Sequence, residues 1–403
     1  MSWLDEVLTQ HQELESPRNF WYWSALCAIS AIVKDNVWID RQAFRLYPNI
    51  YVMLHADSGL KKGAPVSLAK KLVQRVNNTR IISGRSSIQG ILKELGTFTS
   101  TPGGGIRTNA STGFIVASEF SSSLINDPAA LTILTDLYDR NLNEGDWRSL
   151  LKMETFELKN PTISLLVATN EAHFDDFVES KDIHGGFIGR TFIIAEHKVH
   201  RLNPLIKKMK VVPDVDELAE YLKTIAPLRG PFEDLDNTPA GDLYDQWYMK
   251  FYTQVVEQEV KDDTGTIQRF GDSVLKVAML LSLSDSANRI ITIDNMEEAI
   301  SVCEKLIGNV RKTTHGKRGM SATAQHKALI IKELISRDNH QISREMLMKK
   351  YYMHFNSSEL DDVIQAFQQA NMIICENIGN KIVYTMPDEQ VKEMKRFLEG
   401  KNK

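Results

Sequence analysis

Residues 47–72 read YPNIYVMLHADSGLKKGAPVSLAKKL, and this stretch decides the fold. Residues 50–54 form an apolar run with the length and composition of a buried strand. A glycine-containing basic turn follows, and residues 65–73 then have the pattern of a helix. A strand, such a turn and a helix build a phosphate cradle, because backbone N–H groups and the positive end of the helix dipole point at one anion. The stretch predicts a nucleotide-binding loop; a basic surface turn is the alternative.

The stretch departs from the phosphate-loop pattern GxxxxGK[ST] at three positions. With Lys62 as the phosphate-binding lysine, Ala56 stands at the first glycine and Lys61 at the second. Gly63 then occupies the position of the hydroxyl that binds Mg²⁺. The predicted nucleotide-binding residues are Ser58, Gly59, Lys61, Lys62 and Gly63.

Composition and charge bound the class of protein. The chain has 403 residues, enough for two or three domains, and its 42% hydrophobic and 25% charged residues are typical of a globular protein. No apolar run is long enough to span a membrane, and the acidic, polar start is not a secretory signal, so we expect no membrane partner. Three widely separated cysteines favour a reducing cytoplasm, here that of a bacterial host cell. A net charge of −4 leaves any DNA contact to local basic patches.

A second buried strand is predicted over residues 113–120, GFIVASEF, and it ends in polar side chains. ATPases commonly end such a strand in Asp-Glu, which holds Mg²⁺ and orients the attacking water. Here Ser118 stands in place of the aspartate, so we expect it at the metal. Glu119 remains as the candidate catalytic base, with a surface glutamate as the alternative.

Two further strands carry polar residues at their ends. Residues 161–168 predict a buried strand followed by Asn170, which points into the crevice where open α/β sheets bind ligands. Arg190 stands at the start of a last strand, residues 191–195. Strands alternating with helices from residue 37 to residue 195 predict a mainly parallel sheet with helices on both faces.

Basic residues that could contact DNA lie on a loop and a hairpin. The glycine-rich stretch 96–113 is predicted to be an exposed loop, and it contains Arg107. Residues 147–159 alternate in polarity and predict a hairpin that presents Arg148, Lys152 and Lys159.

The C-terminal part predicts a helical region and a separate small domain. The predicted segments are residues 1–46 (helical), 47–203 (nucleotide-binding core), 204–316 (helical) and 322–388 (small domain). Three helices followed by a two-stranded hairpin give the last segment a winged-helix pattern. Its third helix is acidic, which is poor for reading a major groove, so weak DNA binding and protein contacts both stay open. Its candidate DNA-binding residues are Lys349, Lys350 and Lys381.

Five segments, taken in order, resemble the helicase-like ATPases of phages and integrative elements. The resemblance covers about residues 15–310, and the architecture also resembles the MCM-type AAA+ helicases, which end in a winged helix. It implies an α/β fold: an AAA+/P-loop parallel-sheet core with a helical lid and a C-terminal winged-helix domain. The segments are YPNIYVMLHADSGLKKG, RIISGRSSIQGILKEL, GFIVASEF, ISLLVATNEAHF and GGFIGRTFII.

The resemblance also implies a role for individual residues. Lys62 would bind phosphate, Glu119 would be the catalytic glutamate, and Asn170 would be the sensor that polarises the attacking water. Arg190 would be the arginine finger for the neighbouring subunit's ATP, and Arg269 the lid sensor. The implied cofactors are ATP and Mg²⁺. Ser118, water and phosphate would hold the Mg²⁺ ion; the alternative is that hydrolysis is slow.

These expectations give a preferred function and two rivals. The preferred function is an ATP-dependent DNA-translocating motor, a replicative helicase of a phage or mobile element. Its expected partners are single-stranded or forked DNA, copies of itself in a hexameric ring, and an element-encoded primase or initiator. The first rival is a catalytically weak helicase loader or origin-binding scaffold, which the altered loop residues favour. The second, a transcription regulator, lacks a basic recognition helix.

Overall fold

The computed structural model divides the chain into two compact units, Met1–Arg311 and Lys312–Lys403. The structure describes residues 2–84, 86–96, 111–120, 124, 128–139, 147–150, 155–170, 186–203, 209–257, 265–310, 322–337, 339–351, 357–379, 381–392 and 394.

The first unit alternates helices and strands. Its helices are α1 (Trp3–Gln10), α2 (Arg18–Val33), α3 (Gly63–Val76), α4 (Ile88–Gly96), α5 (Pro128–Tyr138), α6 (Val215–Ile225), α7 (Pro239–Glu257), α8 (Phe270–Asp285) and α9 (Ile293–Val310). Its strands are β1 (Val37–Asp40), β2 (Arg45–Leu46), β3 (Tyr51–His55), β4 (Ile81–Ser83), β5 (Thr112–Ala117), β6 (Trp147–Leu150), β7 (Thr155–Leu158), β8 (Thr162–Thr169), β9 (Thr191–Ala195) and β10 (Gly230–Pro231).

The centre of this unit is a five-stranded sheet in the order β4-β5-β8-β3-β9, with every pairing parallel. Such a sheet with helices on both faces is the architecture of Rossmann- and P-loop-like cores, so the predicted parallel α/β fold is confirmed at that level. Strands covered on both faces read as continuous apolar runs, which explains why residues 50–54 and 161–168 were recognisable as strands.

Helices cover the two faces of the sheet. Val52 and Leu54 of β3 face the larger core, which α1, α2, α3, α6 and α8 share. Tyr51 and Met53 face the opposite core, which α4 and α5 complete. The aromatic and aliphatic stripe of α2 is buried in this core: Phe20, Trp21, Trp23, Leu26, Ile29 and Ile32.

Two details differ from the sequence-based expectation. β1 was expected in the parallel sheet, but it pairs with β10 and β2 in a separate three-stranded sheet. The residues that decide this pairing, Gly230 and Pro231, lie far along the chain, and a four-residue pattern does not reveal them. The predicted hairpin over residues 147–159 is confirmed, because β6 and β7 pair antiparallel.

The second unit contains helices α10 (Ala322–Ile335), α11 (Arg344–Tyr351) and α12 (Ser357–Gln369) and strands β11 (Gln341–Ser343), β12 (Ile374–Ile378) and β13 (Lys381–Thr385). β13 lies between β11 and β12, and both pairings are antiparallel. The three predicted helices and the hairpin are present. The short strand β11 was not predicted. This unit has its own hydrophobic core, which includes Leu347, Leu360 and Tyr384.

Within the ranges that the structure describes, none of the helices combines the length and the apolar character that crossing a membrane requires.

Candidate functional site

The loops that follow β3, β5 and β8 meet at one edge of the parallel sheet. His55 pairs with Thr169 in register, so β3 and β8 end side by side. The Ala56 N–H donates to the Thr169 carbonyl at 3.4 Å, and the Phe120 N–H donates to the Ala168 carbonyl at 2.6 Å. Parallel strands bring their carboxyl ends to the same edge, and these bonds fix the three loops against one another there.

Lys62 lies inside the loop that joins β3 to α3. Its ammonium donates to the carbonyls of Ala56 at 2.5 Å and Asp57 at 2.8 Å, so the side chain folds back over the turn. Burial lowers the pKa of Lys62, while the negative charges of Asp57 and Glu119 oppose that shift. The ammonium is therefore held over the loop and within the electrostatic field of the catalytic-base candidate.

Lys61 adopts the left-handed backbone conformation, with φ at 54°. This conformation costs a residue with a side chain about 1–2 kcal/mol, and glycine adopts it freely. The second glycine of the phosphate-loop pattern would stand here, so the loop keeps a glycine-like conformation with a lysine. The Ser16 hydroxyl donates to the Lys61 carbonyl at 2.8 Å and helps to hold it.

The positive end of α3 faces the same loop. The helix starts at Gly63, and the side chain of its N-cap residue, Lys62, makes no capping hydrogen bond. That turn also contains no acidic residue. The helix dipole therefore favours an anion here, whereas the Ala64 N–H already donates to the Lys61 carbonyl at 3.4 Å and Pro65 has no N–H.

Eight of the predicted ATP-site residues line a single cleft of about 340 Å³ together with Ala168 and Thr169, whereas the two predicted arginines, Arg190 and Arg269, lie elsewhere. Glu119 and Ser118 are exposed there, and Asn170 is half-buried. The cleft thus joins two lysines, a helix N-terminus, a carboxylate and a carboxamide. The predicted residues in it are Ser58, Gly59, Lys61, Lys62, Gly63, Ser118, Glu119 and Asn170.

The oxygen donors of this cleft do not fit the usual Mg²⁺ site of phosphate-loop proteins. Mg²⁺ prefers carboxylates and hydroxyls alongside the phosphates of a substrate. Gly63 brings no hydroxyl, and Ser118 brings a hydroxyl where a carboxylate is usual. Among the described residues that line the cleft, Glu119 is the only carboxylate, and Lys62 already lies in its field.

Arg190 lies at the opposite edge of the sheet, just before β9. It is 8% exposed, and its guanidinium donates to the Asp139 carboxylate through Nε at 2.8 Å and also through a second nitrogen. A further bond, of 2.9 Å, goes to the Gly186 carbonyl. The arginine is therefore a buried group, bonded through each of its three nitrogens, that ties the start of β9 to the end of α5.

A second cleft, of about 120 Å³, lies at this same edge and contains the predicted lid arginine. Arg269, Asp139, Asp272 and Lys276 line it. Lys276 is 2% exposed, and its ammonium donates to the carbonyl of Asn49 at 2.9 Å and to its side-chain oxygen at 2.8 Å.

Burial dominates the electrostatics of this second cleft. It lowers the pKa of Lys276 to about 7, against the opposing effect of the carboxylates of Asp139 and Asp272. It also raises the pKa of Asp272. The ammonium lies 3.9 Å from the centre of the Tyr138 ring, a contact that favours the charged form.

The residues predicted to contact DNA are dispersed. Lys159 follows β7, and its backbone N–H donates to the Ser111 hydroxyl at 3.0 Å. Arg148 lies in β6, where only the backbone is described, and Arg107 and Lys152 lie outside the described residues.

In the second unit, carboxylates pair with two of the three predicted lysines. Lys349 contacts Glu345 at 2.9 Å, and Lys350 contacts Glu333 at 2.6 Å. Lys381 is exposed at the start of β13.

The sequence-based prediction missed Ser16, Asp139 and Lys276. A lysine inside the apolar run VLKVAMLL was the one available signal, since a buried lysine is rare without a partner. Ser16 and Asp139 act through partners that are distant in sequence, 45 and 51 positions away.

Comparisons with known proteins do not identify a family. No protein-family model matches the chain, and no curated protein matches it. The resemblance of the five segments to helicase-like ATPases therefore stays a prediction from the sequence.

Proposed function

We propose that this chain is an ATP-dependent, DNA-translocating motor that acts as a replicative DNA helicase of a phage or mobile genetic element. One observation carries the nucleotide part of the proposal. Lys62, Glu119 and Asn170 come from three separate loops and meet in one cleft at the carboxyl edge of a parallel sheet. The DNA part is supported by the resemblance of the five sequence segments.

The residues of the cleft have the chemistry that phosphoryl transfer to water requires. The lysine and the first turn of α3 attract the phosphates. Glu119, exposed across from Lys62, accepts a proton from the attacking water or orients it. The Asn170 amide supplies a hydrogen bond to the water or to the transferred phosphate. Together these groups would hydrolyse the terminal phosphate of ATP.

The sheet order supports the P-loop form of this proposal. β3 lies between β8 and β9, so neighbouring strands fix the loop that follows it. We assign the five strands and their helices to an AAA+ core and α6–α9 to its helical lid. In the second unit, the order helix, strand, two helices and two strands supports a winged helix.

The two arginines support assembly into a ring, which we propose is a homohexamer. Arg190 and Arg269 lie at the edge opposite the cleft, and the five residues of β9 separate the two edges by about 17 Å. Neither arginine side chain is long enough to reach the cleft of Lys62 and Glu119 in its own subunit. An arginine at that edge would serve a neighbouring subunit's nucleotide, and its phosphates would replace Asp139 as the partner of Arg190.

A helicase loader or origin-binding scaffold is the alternative, and specific observations favour it. Gly63 and Ser118 weaken metal binding, which would slow hydrolysis. Arg344 of α11 is also bonded to Asp361 of α12 and to Ser357, so the basic residues there are engaged within the unit. A unit of this kind suits protein contacts better than base reading.

The test is steady-state ATP hydrolysis with and without single-stranded DNA. Wild type is compared with Lys62→Ala and Glu119→Gln, and Lys71→Ala serves as the matched control because it removes an exposed lysine from α3 outside the cleft. We expect DNA to stimulate wild type and the control equally. Loss of the phosphate lysine or the base should lower turnover by about 100-fold or more.

Turnover that is unaffected by Lys62→Ala or by Glu119→Gln would rule out this cleft as the catalytic site. Nucleotide binding without turnover in wild type would favour the loader. Stimulated turnover leads next to a strand-displacement assay on a forked duplex, which a translocating motor must pass.

A further inference from the structure

Lys61 is the unusual residue of the phosphate loop. Its backbone has a positive φ, and the Lys61 carbonyl accepts hydrogen bonds from the Ser16 hydroxyl at 2.8 Å and from the Ala64 N–H at 3.4 Å. These two hydrogen bonds therefore hold Lys61 in a backbone conformation that glycine would adopt without strain. The loop tolerates the strain and gains a second positive charge beside Lys62.

The side chain of Lys61 is free to exchange its partner. Its ammonium lies 3.9 Å from a carboxylate oxygen of Glu15, and the two side chains are 58% and 27% exposed. An exposed ion pair of this length is weak. Lys61 also lines the cleft, so phosphate oxygens entering the loop compete with Glu15 for the same ammonium.

The ammonium of Lys61 adds positive charge to a cleft that has few oxygen ligands for Mg²⁺. Gly63 and Ser118 remove the hydroxyl and the carboxylate that hold Mg²⁺ in the usual pattern. Nucleotide phosphates need positive charge around them, and lysine side chains or a metal ion can supply it.

We propose that Lys61 and Lys62 together bind the phosphates of a nucleoside triphosphate, so that binding does not depend on Mg²⁺. The inference rests on the proposed function, because it takes the cleft to be a nucleotide site. It goes further by assigning to Lys61 part of the charge that a metal ion provides elsewhere, and by making Glu15 the competitor for that lysine.

The test is equilibrium binding of a fluorescent ATP analogue to the full chain in excess EDTA and in excess MgCl₂. Wild type should bind the probe with affinities that differ by less than about threefold between the two conditions. Lys61→Asn removes the charge but keeps a residue that tolerates the left-handed conformation, and it should weaken binding in EDTA by about tenfold or more. Lys61→Arg should bind as wild type does.

Two further variants test the inference without altering Lys61. Glu15→Gln removes the competing carboxylate and should tighten binding in EDTA. Gly63→Ser combined with Ser118→Asp supplies the missing oxygens, and added Mg²⁺ should then strengthen binding. A Cβ at Gly63 meets no atom within 4 Å, so the serine fits.

The outcomes separate this inference from the proposed function. Loss of wild-type binding in EDTA, or an unchanged affinity of Lys61→Asn in EDTA, would overturn the role of Lys61 and leave the nucleotide site standing. A probe that binds in neither condition, or that binds Lys62→Ala as tightly as wild type, would overturn the nucleotide site itself, and this inference with it.

Discussion

Arg190 shows that the role of one side chain depends on its partner. A surface arginine finger can be removed with little effect on folding. Arg190 instead is buried and has the half-buried carboxylate of Asp139 as its partner, and loss of one member leaves the other charge without its partner in a largely water-excluded place. The side chain therefore contributes to stability, whatever it does in an assembled ring.

We predict that Arg190→Met lowers the free energy of unfolding of the first unit by about 3–5 kcal/mol. Urea denaturation followed by circular dichroism measures this change. The matched control is Arg75→Met, because Arg75 also pairs with an aspartate, Asp216, but both side chains are largely exposed. That variant should unfold as wild type does.

A stable Arg190→Met protein that has lost ATP hydrolysis would instead assign Arg190 to catalysis at a subunit interface. In that case the ion pair with Asp139 is only the resting position of the finger.

Lys276 gives the stability of the first unit a distinctive dependence on pH. Burial lowers its pKa to about 7 from the ordinary value of 10.5. Above pH 7 the folded chain loses this proton while the unfolded chain keeps it, so the unfolded state binds more protons. Stability therefore rises with pH.

We predict that the free energy of unfolding rises between pH 7 and about 8.5, with a slope of up to about 1.4 kcal/mol per pH unit from this group. The window ends there because burial raises the thiol pKa of Cys27 and Cys303 above the ordinary 9.0, which favours unfolding at higher pH. Urea titrations at several pH values measure the slope. Lys276→Met should flatten it, and an equal slope in that variant would contradict the assignment.

At the scale of the element, the sequence predicted what has a local signal. The central strands were identified within two or three residues, because strands buried on both faces are apolar throughout. The cap of α4 is equally local, because the Ser87 hydroxyl accepts the Gly90 N–H at 3.2 Å. Lys62, Glu119 and Asn170 were predicted as site residues because each follows such a strand, and the three residues line one cleft.

Features without a local signal were missed. β11 has three residues, too few for a period to appear, and β1 takes its partner strand from residues 230–231. The bonds from Ser16 to Lys61 and from Arg190 to Asp139 join residues more than 40 positions apart. Only the folded chain brings such pairs together, and one sequence contains no trace of the pairing.

At the scale of the molecule, the chain has two units with separate cores. α1 and α2 share the core of the sheet, so the N-terminal helices belong to the first unit. The second unit has a core of its own around α10, α12 and β13. A segment with its own core and about 90 residues is large enough to fold alone.

We predict that residues 312–403, expressed alone, fold cooperatively. Circular dichroism should show helix, and thermal unfolding should follow a single transition. The control is Leu360→Asp, which places a charge in the core of this unit and should abolish the transition. A fragment that shows no transition without the substitution would mean that this unit needs the rest of the chain to fold.

The interior strand β3 mechanically connects the two edges of the sheet. Neighbouring strands hydrogen-bond to both of its sides, so it is a stiff rod of about 17 Å. The loop that contains Lys61 and Lys62 follows one end of β3. The other end begins just after Asn49, and the ammonium of Lys276 on α8 donates two hydrogen bonds to Asn49. A displacement of the loop would therefore be transmitted through β3 to Lys276 and so to α8. This helix begins directly after Arg269.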